Sequence, residues 1–260
     1  MFKVPPEQTE EVVLTAFEVG YRHVDTAQMY GNEEGVGAAL RSAGLPRDEV
    51  YVTSKLNNNR HRPDDVRRSF DESLELLGLD RLDLFLIHWP LPTQYDGDFV
   101  STWKAMAELL DDGRLTSVGV SNFEPDHLDR IIDATGVVPV VNQIEVHPFF
   151  TNEAARTASQ RHGIKVEGWA PIARGQVDEE PVIKKIAEAH DRTPAQVALR
   201  WHVERGDIVF PKSVRRERLE ENFAIFDFSL SDDEVAEIST LHRGESARTG
   251  PNPNTFDYVP

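Results

Sequence analysis

Two hydrophobic patterns alternate along this 260-residue chain. Short, nearly continuous apolar runs such as Leu84-Phe85-Leu86-Ile87 read as strands buried on both faces of a parallel sheet. Seven strands are predicted, most of them runs of this kind: Arg22–Asp25, Val50–Lys55, Leu82–His88, Thr116–Ser121, Val138–Ile144, Ile164–Ala170 and Ile208–Pro211. Between them lie segments of helical period. From Pro63 onward, Val66, Phe70, Leu74 and Leu77 recur on one face, with acidic and basic residues opposite. Pro63 with Asp64 and Asp65 suits a helix start and Gly78 a helix stop. Thr193-Pro194, a capping residue followed by proline, marks another start.

Strand–helix units recurring about every 30 residues predict an α/β chain, either a (β/α)8 TIM barrel or a doubly wound sheet. No linker, low-complexity tract or shift in composition divides it, so residues 1–260 read as one domain. No G-x-G-x-x-G follows a strand, and Gly31, Gly35 and Gly37 have the wrong spacing for that fingerprint. They read as a loop running into a helix. The barrel is the better reading.

Composition narrows the function. Hydrophobic residues make up 39%, enough for a sizeable core. No apolar run approaches the roughly 20 residues that cross a bilayer, and nothing near Met1 resembles a signal peptide. With no cysteine, disulfide and thiolate chemistry are excluded, which fits a cytoplasmic protein. Twenty-eight basic against 45 acidic side chains leave a net charge of −17, a field that repels nucleic acid and anionic membranes. Arginine is plentiful and lysine scarce. Such a surface suits either a salt-loving host, where screening removes self-repulsion, or an ordinary acidic cytosolic enzyme.

In a barrel, reactive groups gather at the C-terminal ends of the strands. Three successive predicted strands deliver Asp25, Lys55 and His88 to that rim, and Tyr30 follows on the loop after Asp25. Each alone has a structural explanation: a turn residue, a solvated lysine, a packed histidine, a packed tyrosine. Together they support proton delivery to a carbonyl oxygen. A tyrosine of pKa about 10 is too weak an acid at neutral pH. A neighbouring Lys55 ammonium is expected to lower that pKa, and Asp25 to keep the lysine charged and oriented. His88 can hold the substrate oxygen or pass the proton. Reduction also needs a hydride, which no side chain supplies, so a nicotinamide cofactor is implied.

These residues sit in motifs that resemble the aldo-keto reductases. Asp25-Thr26-Ala27-Gln28-Met29-Tyr30-Gly31-Asn32-Glu33 looks like the family signature. So do Ser54-Lys55, Leu86-Ile87-His88-Trp89-Pro90, Gly119-Val120-Ser121-Asn122-Phe123, Asn142-Gln143-Ile144-Glu145, and Pro211-Lys212-Ser213-Val214 with Arg218 and Glu221-Asn222. The similarity runs in family order from about Val4 to the C-terminus. It is nearest the prokaryotic 2,5-diketo-gluconate reductase type, including the short tail Pro251–Pro260.

The resemblance implies reduction of small carbonyl substrates with NADPH and a catalytic tetrad of Asp25, Tyr30, Lys55 and His88. It implies that Ser121, Asn122 and Gln143 hold the nicotinamide carboxamide and that Trp169 stacks on the ring. It places Lys212, Ser213 and Arg218 on the adenosine 2′-phosphate, and Glu221 and Asn222 on the adenine. A Lys–Arg pair at a helix start suits a phosphate and favours NADPH over NADH. His88 and Trp89 suggest a pocket for a small polar or aromatic carbonyl.

One departure stands out. Family members carry a short hairpin and a first barrel strand before the Phe2-Lys3-Val4 region, and both are expected to be missing here, leaving seven core strands. Three explanations stand open: a start that lies upstream, a loop or partner chain that covers the gap, or a weakened protein. The rival function on the same scaffold is a non-catalytic, NADPH-binding regulatory subunit. A metal-dependent hydrolase would need clustered histidines and carboxylates, whereas the nine histidines here are scattered. A Schiff-base aldolase would need Lys55 neutral, against the pull of Asp25.

Overall fold

Strands form where the apolar runs predict them, with bounds moved by at most three residues. They are β1 (His23–Asp25), β2 (Tyr51–Leu56), β3 (Leu82–Ile87), β4 (Leu115–Ser121), β5 (Val141–Glu145), β6 (Lys165–Trp169) and β7 (Ile208–Val209). Their order in the sheet follows the chain, β1 to β7. The helices are α1 (Pro6–Val19), α2 (Glu33–Ser42), α3 (Pro63–Leu77), α4 (Phe99–Glu108), α5 (Pro125–Thr135), α6 (Glu153–Arg161), α7 (Pro181–His190), α8 (Pro194–Glu204), α9 (Arg216–Phe223) and α10 (Asp232–Ser239). This computed structural model describes every residue from Met1 to Pro260. Two compact units make up the chain: residues 1–142 with 253–260, and residues 143–252.

In the first unit β1, β2, β3 and β4 are parallel neighbours, with Asp25 opposite Thr53, Lys55 opposite Leu86 and Leu86 opposite Gly119. Helix α3 begins at Pro63 and buries Val66, Phe70, Leu74 and Leu77, the face its period predicts. Gly78 ends it with φ 64°, a left-handed conformation that costs a side-chain-bearing residue about 1 kcal/mol or more. The Gly31 cluster is a loop running into α2, as expected: a 3-10 turn over Gln28–Tyr30, then a helix from Glu33. Ahead of α1, residues 1–5 make a turn closed by the Val4 amide on the Met1 carbonyl at 3.1 Å. Seven strands are present, the number counted in the sequence.

In the second unit β6 and β7 pair in parallel, Glu167 opposite Ile208. Its core joins Ile144, Val146, Val166, Ile183, Val197 and Trp201. Helix α8 starts as predicted, with Thr193 and Gln196 capping each other's backbone amides. No helix is long and apolar enough to cross a membrane.

Candidate active site

Parallel strands end together, so β1, β2, β3 and β4 bring their C-terminal residues to one rim of the first unit. Lys55, near the end of β2, is fully buried. Its ammonium donates to Asp25 Oδ1 at 2.6 Å and to the Thr26 carbonyl at 2.8 Å. A buried ammonium survives only with such partners. On the opposite side of the pleat, Ser54 donates to the buried Glu33 carboxylate at 2.6 Å.

Tyr30 closes the 3-10 turn that follows β1. The Lys55 Nζ lies 5.1 Å from its ring centroid. His88, the residue after β3, stands edge-on to the same ring, 5.5 Å between centroids. Asp25, Tyr30, Lys55 and His88 thus meet.

The electrostatics correct one expectation. Tyr30 is half-buried as a residue, yet burial around its phenol pushes it above its ordinary pKa. Lys55 pulls the other way through its charge and a hydrogen bond, Asp25 adds to the rise, and the lysine does not prevail. The sequence exposed the lysine's contribution but not the desolvation that outweighs it. The consequence is a phenol that stays protonated at neutral pH. His88 is pushed down to about 3 by burial first and the Lys55 charge second, so it is neutral. Its buried Nδ1 has no hydrogen-bond partner.

Beside this corner, Asn122 follows β4 with φ 65°. Its Nδ2 donates to the His88 carbonyl at 2.9 Å and to Ser121 Oγ at 3.0 Å, which ties the end of β4 to the end of β3. Gly119 earlier in that motif is required for space, because a Cβ there would lie 2.8 Å from both Leu86 Cδ2 and the Val141 carbonyl.

Several neighbours escaped the sequence reading. Phe2 packs on Tyr30 at 5.4 Å between ring centroids. The N-terminal turn that carries Phe2 is held by Asn32, whose Nδ2 donates to the carbonyls of Met1 and Val4 at 3.0 and 3.1 Å. The Met1 ammonium donates to the Asp25 carbonyl. Trp89 packs at a tilt on Phe256, 4.2 Å between ring centroids, and Asn58 Nδ2 donates to the Tyr258 carbonyl at 2.8 Å, which brings the tail to the same loops. These contacts join residues as much as 200 positions apart. Asn32, Trp89 and the tail Pro251–Pro260 stand in stretches matched to the family, but no local pattern announces these contacts.

In the second unit, Gln143 is buried on β5 and its Nε2 donates to Glu167 Oε2 at 2.9 Å. Trp169 ends β6, half-buried, and the chain beyond it is contorted, with positive φ at Ala170, Ala173 and Arg174. Such strain persists only where surrounding contacts impose it. The 212–222 segment is far more open. Lys212 is exposed, Ser213 Oγ accepts from the Arg215 amide at 3.2 Å, and Asn222 is buried in α9. Arg218 is 47% exposed and holds Glu221 through contacts of 2.9 and 2.6 Å, so these two residues form one ion pair. No group of three or more His, Asp or Glu side chains is arranged to hold a metal ion.

The sequence profile of the Aldo/keto reductase family matches residues 2–243. An aldo-keto reductase of Mycobacterium sp. (strain KMS) is 47% identical over 259 residues, covering 100% of this chain and 92% of its own length. The methylglyoxal reductase DkgA of Salmonella typhimurium is 44% identical over 259 residues, covering 98% of this chain and 92% of that protein. Among solved structures, a Gox0644 mutant in complex with NADPH superimposes with a TM-score of 0.93 at 49% identity, over 99% of this chain and 92% of that one. Matches of this extent and identity leave one assignment: the chain belongs to the aldo/keto reductase family.

Proposed function

We propose that this protein reduces small aldehydes and ketones to alcohols with NADPH, with Tyr30 as the general acid. The observation that carries the reading is the fully buried Lys55 ammonium, fixed by Asp25 and Thr26 and set against the Tyr30 ring. The phenol is protonated at neutral pH, so it has a proton to give to a carbonyl oxygen. As that proton leaves, negative charge develops on the phenolate beside an ammonium that needs no reorientation. Asp25 keeps Lys55 in place. His88 is neutral and offers a ring N–H to the carbonyl oxygen without competing as an acid. Phe2 and Trp89 give the substrate flat apolar walls.

The residues present fit the nicotinamide cofactor. The amides of Asn122 and Gln143 are buried and oriented by neighbours, a state suited to reading a carboxamide. We assign Ser121, Asn122 and Gln143 to that group and Trp169 to the face of the ring. Lys212, Ser213 and Arg218 are assigned to the adenosine 2′-phosphate, and Glu221 with Asn222 to the adenine. Two accessible cations in a chain of net charge −17 support a bound anion there. When bound, the cofactor supplies the hydride.

The test is NADPH oxidation against aldehydes, diketones and keto-sugars in low and high salt. The name of the Salmonella relative puts 2-oxoaldehydes first in that panel. Turnover of at least one carbonyl is expected. Measured NADPH binding with no turnover of any would favour the regulatory subunit.

A further inference from the structure

Glu145 is a buried carboxylate that the proposed reaction does not use. It ends β5 in the second unit, with a side chain fully closed to solvent. Its Oε1 accepts from the Thr249 amide at 2.5 Å and the Thr249 hydroxyl at 2.7 Å, and lies 3.1 Å from His147 Nε2. Its Oε2 accepts from the Gly250 amide at 3.2 Å. Burial alone would raise this carboxyl, but the hydrogen bonds from His147 and Thr249 more than offset it, and the group is held below its ordinary value. Glu145 is therefore an anion whose donors come mainly from one short strap of backbone, about a hundred residues away in sequence.

The strap is gripped on its other side as well. The Arg248 guanidinium lies 4.3 Å over the Phe150 ring, and its Nε reaches Glu245 Oε2 at 2.5 Å. Held in this way, Gly250 passes directly against the indole of Trp169. A Cβ at position 250 would overlap the six-membered ring at Cη2, and would lie 3.2 Å from Cζ3 and 3.4 Å from Glu145 Oε2. No unusual φ asks for glycine there, so the requirement is space alone. One carboxylate thus fixes two amides, and the second belongs to the residue that backs Trp169.

We propose that Glu145 is a positioning residue for the Trp169 platform: it pins Thr249 and Gly250 so that the strap holds the indole in the plane on which the nicotinamide rests. The proposal rests on the assignment of Trp169 to the nicotinamide face. Charge-assisted bonds to backbone amides are stronger than neutral ones and pre-organise the strap before any ligand arrives. Gly250 then acts as a stop that a larger residue could not provide.

The experiment is a double-mutant cycle on the full chain, with Glu145→Gln, Trp169→Ala and the pair. NADPH dissociation constants and the quenching of tryptophan fluorescence are measured, with thermal melts alongside. Glu145→Gln should weaken NADPH about tenfold, the scale of a disrupted charged hydrogen-bond network, and reduce the quench, while KM for the carbonyl moves less than twofold. In the Trp169→Ala background the same change should cost little, because it acts through the indole. Thr249→Val, which keeps the carboxylate, should show a smaller loss in the same direction and keeps the test open if Glu145→Gln does not fold. Should Trp169→Ala weaken NADPH while Glu145→Gln and Thr249→Val leave it unchanged, the proposal is overturned and the platform assignment stands. If Trp169→Ala leaves NADPH affinity and quenching intact, the assignment of Trp169 fails, and the proposal with it.

Discussion

Two groups of charged residues in this protein live in opposite surroundings. Lys55 has no exposed side-chain surface and Asp25 has 7%, whereas Arg218 keeps 47% and Lys212 is open to solvent. In the buried corner a charge acts in low dielectric, where each interaction is strong and an unpaired group is costly. In the open segment, water and salt weaken each pair, but the charges can be reached. Proton delivery needs the first kind of site. Capture of a phosphate from solution needs the second.

The difference should show first in Lys55→Met. Removing the ammonium leaves Asp25 buried without its partner, and a loss of about 3–5 kcal/mol of stability is expected, along with most of the turnover. Urea unfolding and NADPH oxidation measure the two. An Arg218→Ala change, by contrast, should leave stability within about 0.5 kcal/mol.

Acid acts on the buried groups. His61, stacked on Tyr95 at 5.2 Å, is pushed down by burial from an ordinary 6.5 to about 4, and His88 to about 3. Below pH 6.5 the unfolded chain takes up protons that the folded chain refuses. Their contribution is fully present above that pH and is lost as pH falls through the folded values near 4 and 3. His61→Phe should flatten the pH dependence of unfolding by up to about 1.4 kcal/mol per pH unit within that window. An unchanged slope would mean that His61 takes up its proton in the folded state at an ordinary pH.

A smaller effect belongs to the open segment. Arg218→Ala should weaken NADPH about tenfold and NADH much less, because it removes the proposed phosphate partner, although it also frees Glu221 from its ion pair. Equal losses for both, persisting when Glu221 is also changed to Gln, would take Arg218 off the 2′-phosphate. Smallest of all is the response to salt. With a net charge of −17, raising NaCl from low to molar concentration should lift Tm by about 2 to 4 °C through screening of self-repulsion. A flat or falling Tm would argue against a surface shaped for brine.

Much of this was legible in the sequence. The strand positions were, because most of these strands carry the short apolar runs of a buried parallel sheet, and the rim rule then picked out Asp25, Tyr30, Lys55 and His88 as candidates before any family likeness. What stayed hidden depends on which residues meet across long stretches of chain. No local pattern announces that Thr249 and Gly250 settle on Glu145, that Phe2 packs on Tyr30, or that Arg218 closes on Glu221. The net pKa of Tyr30 was hidden for the same reason. A motif names the charges near the phenol, whereas desolvation is set by everything packed around it.

The proposed chemistry turns on the Tyr30 proton. Stopped-flow measurement of NADPH oxidation in a single turnover, with Tyr30→Phe beside the unaltered chain and NADPH affinity measured for both, reads it most directly. The rate should fall by about 10² to 10⁴-fold while the NADPH dissociation constant stays within twofold. Retention of the full rate by Tyr30→Phe would show that the proton comes from another group.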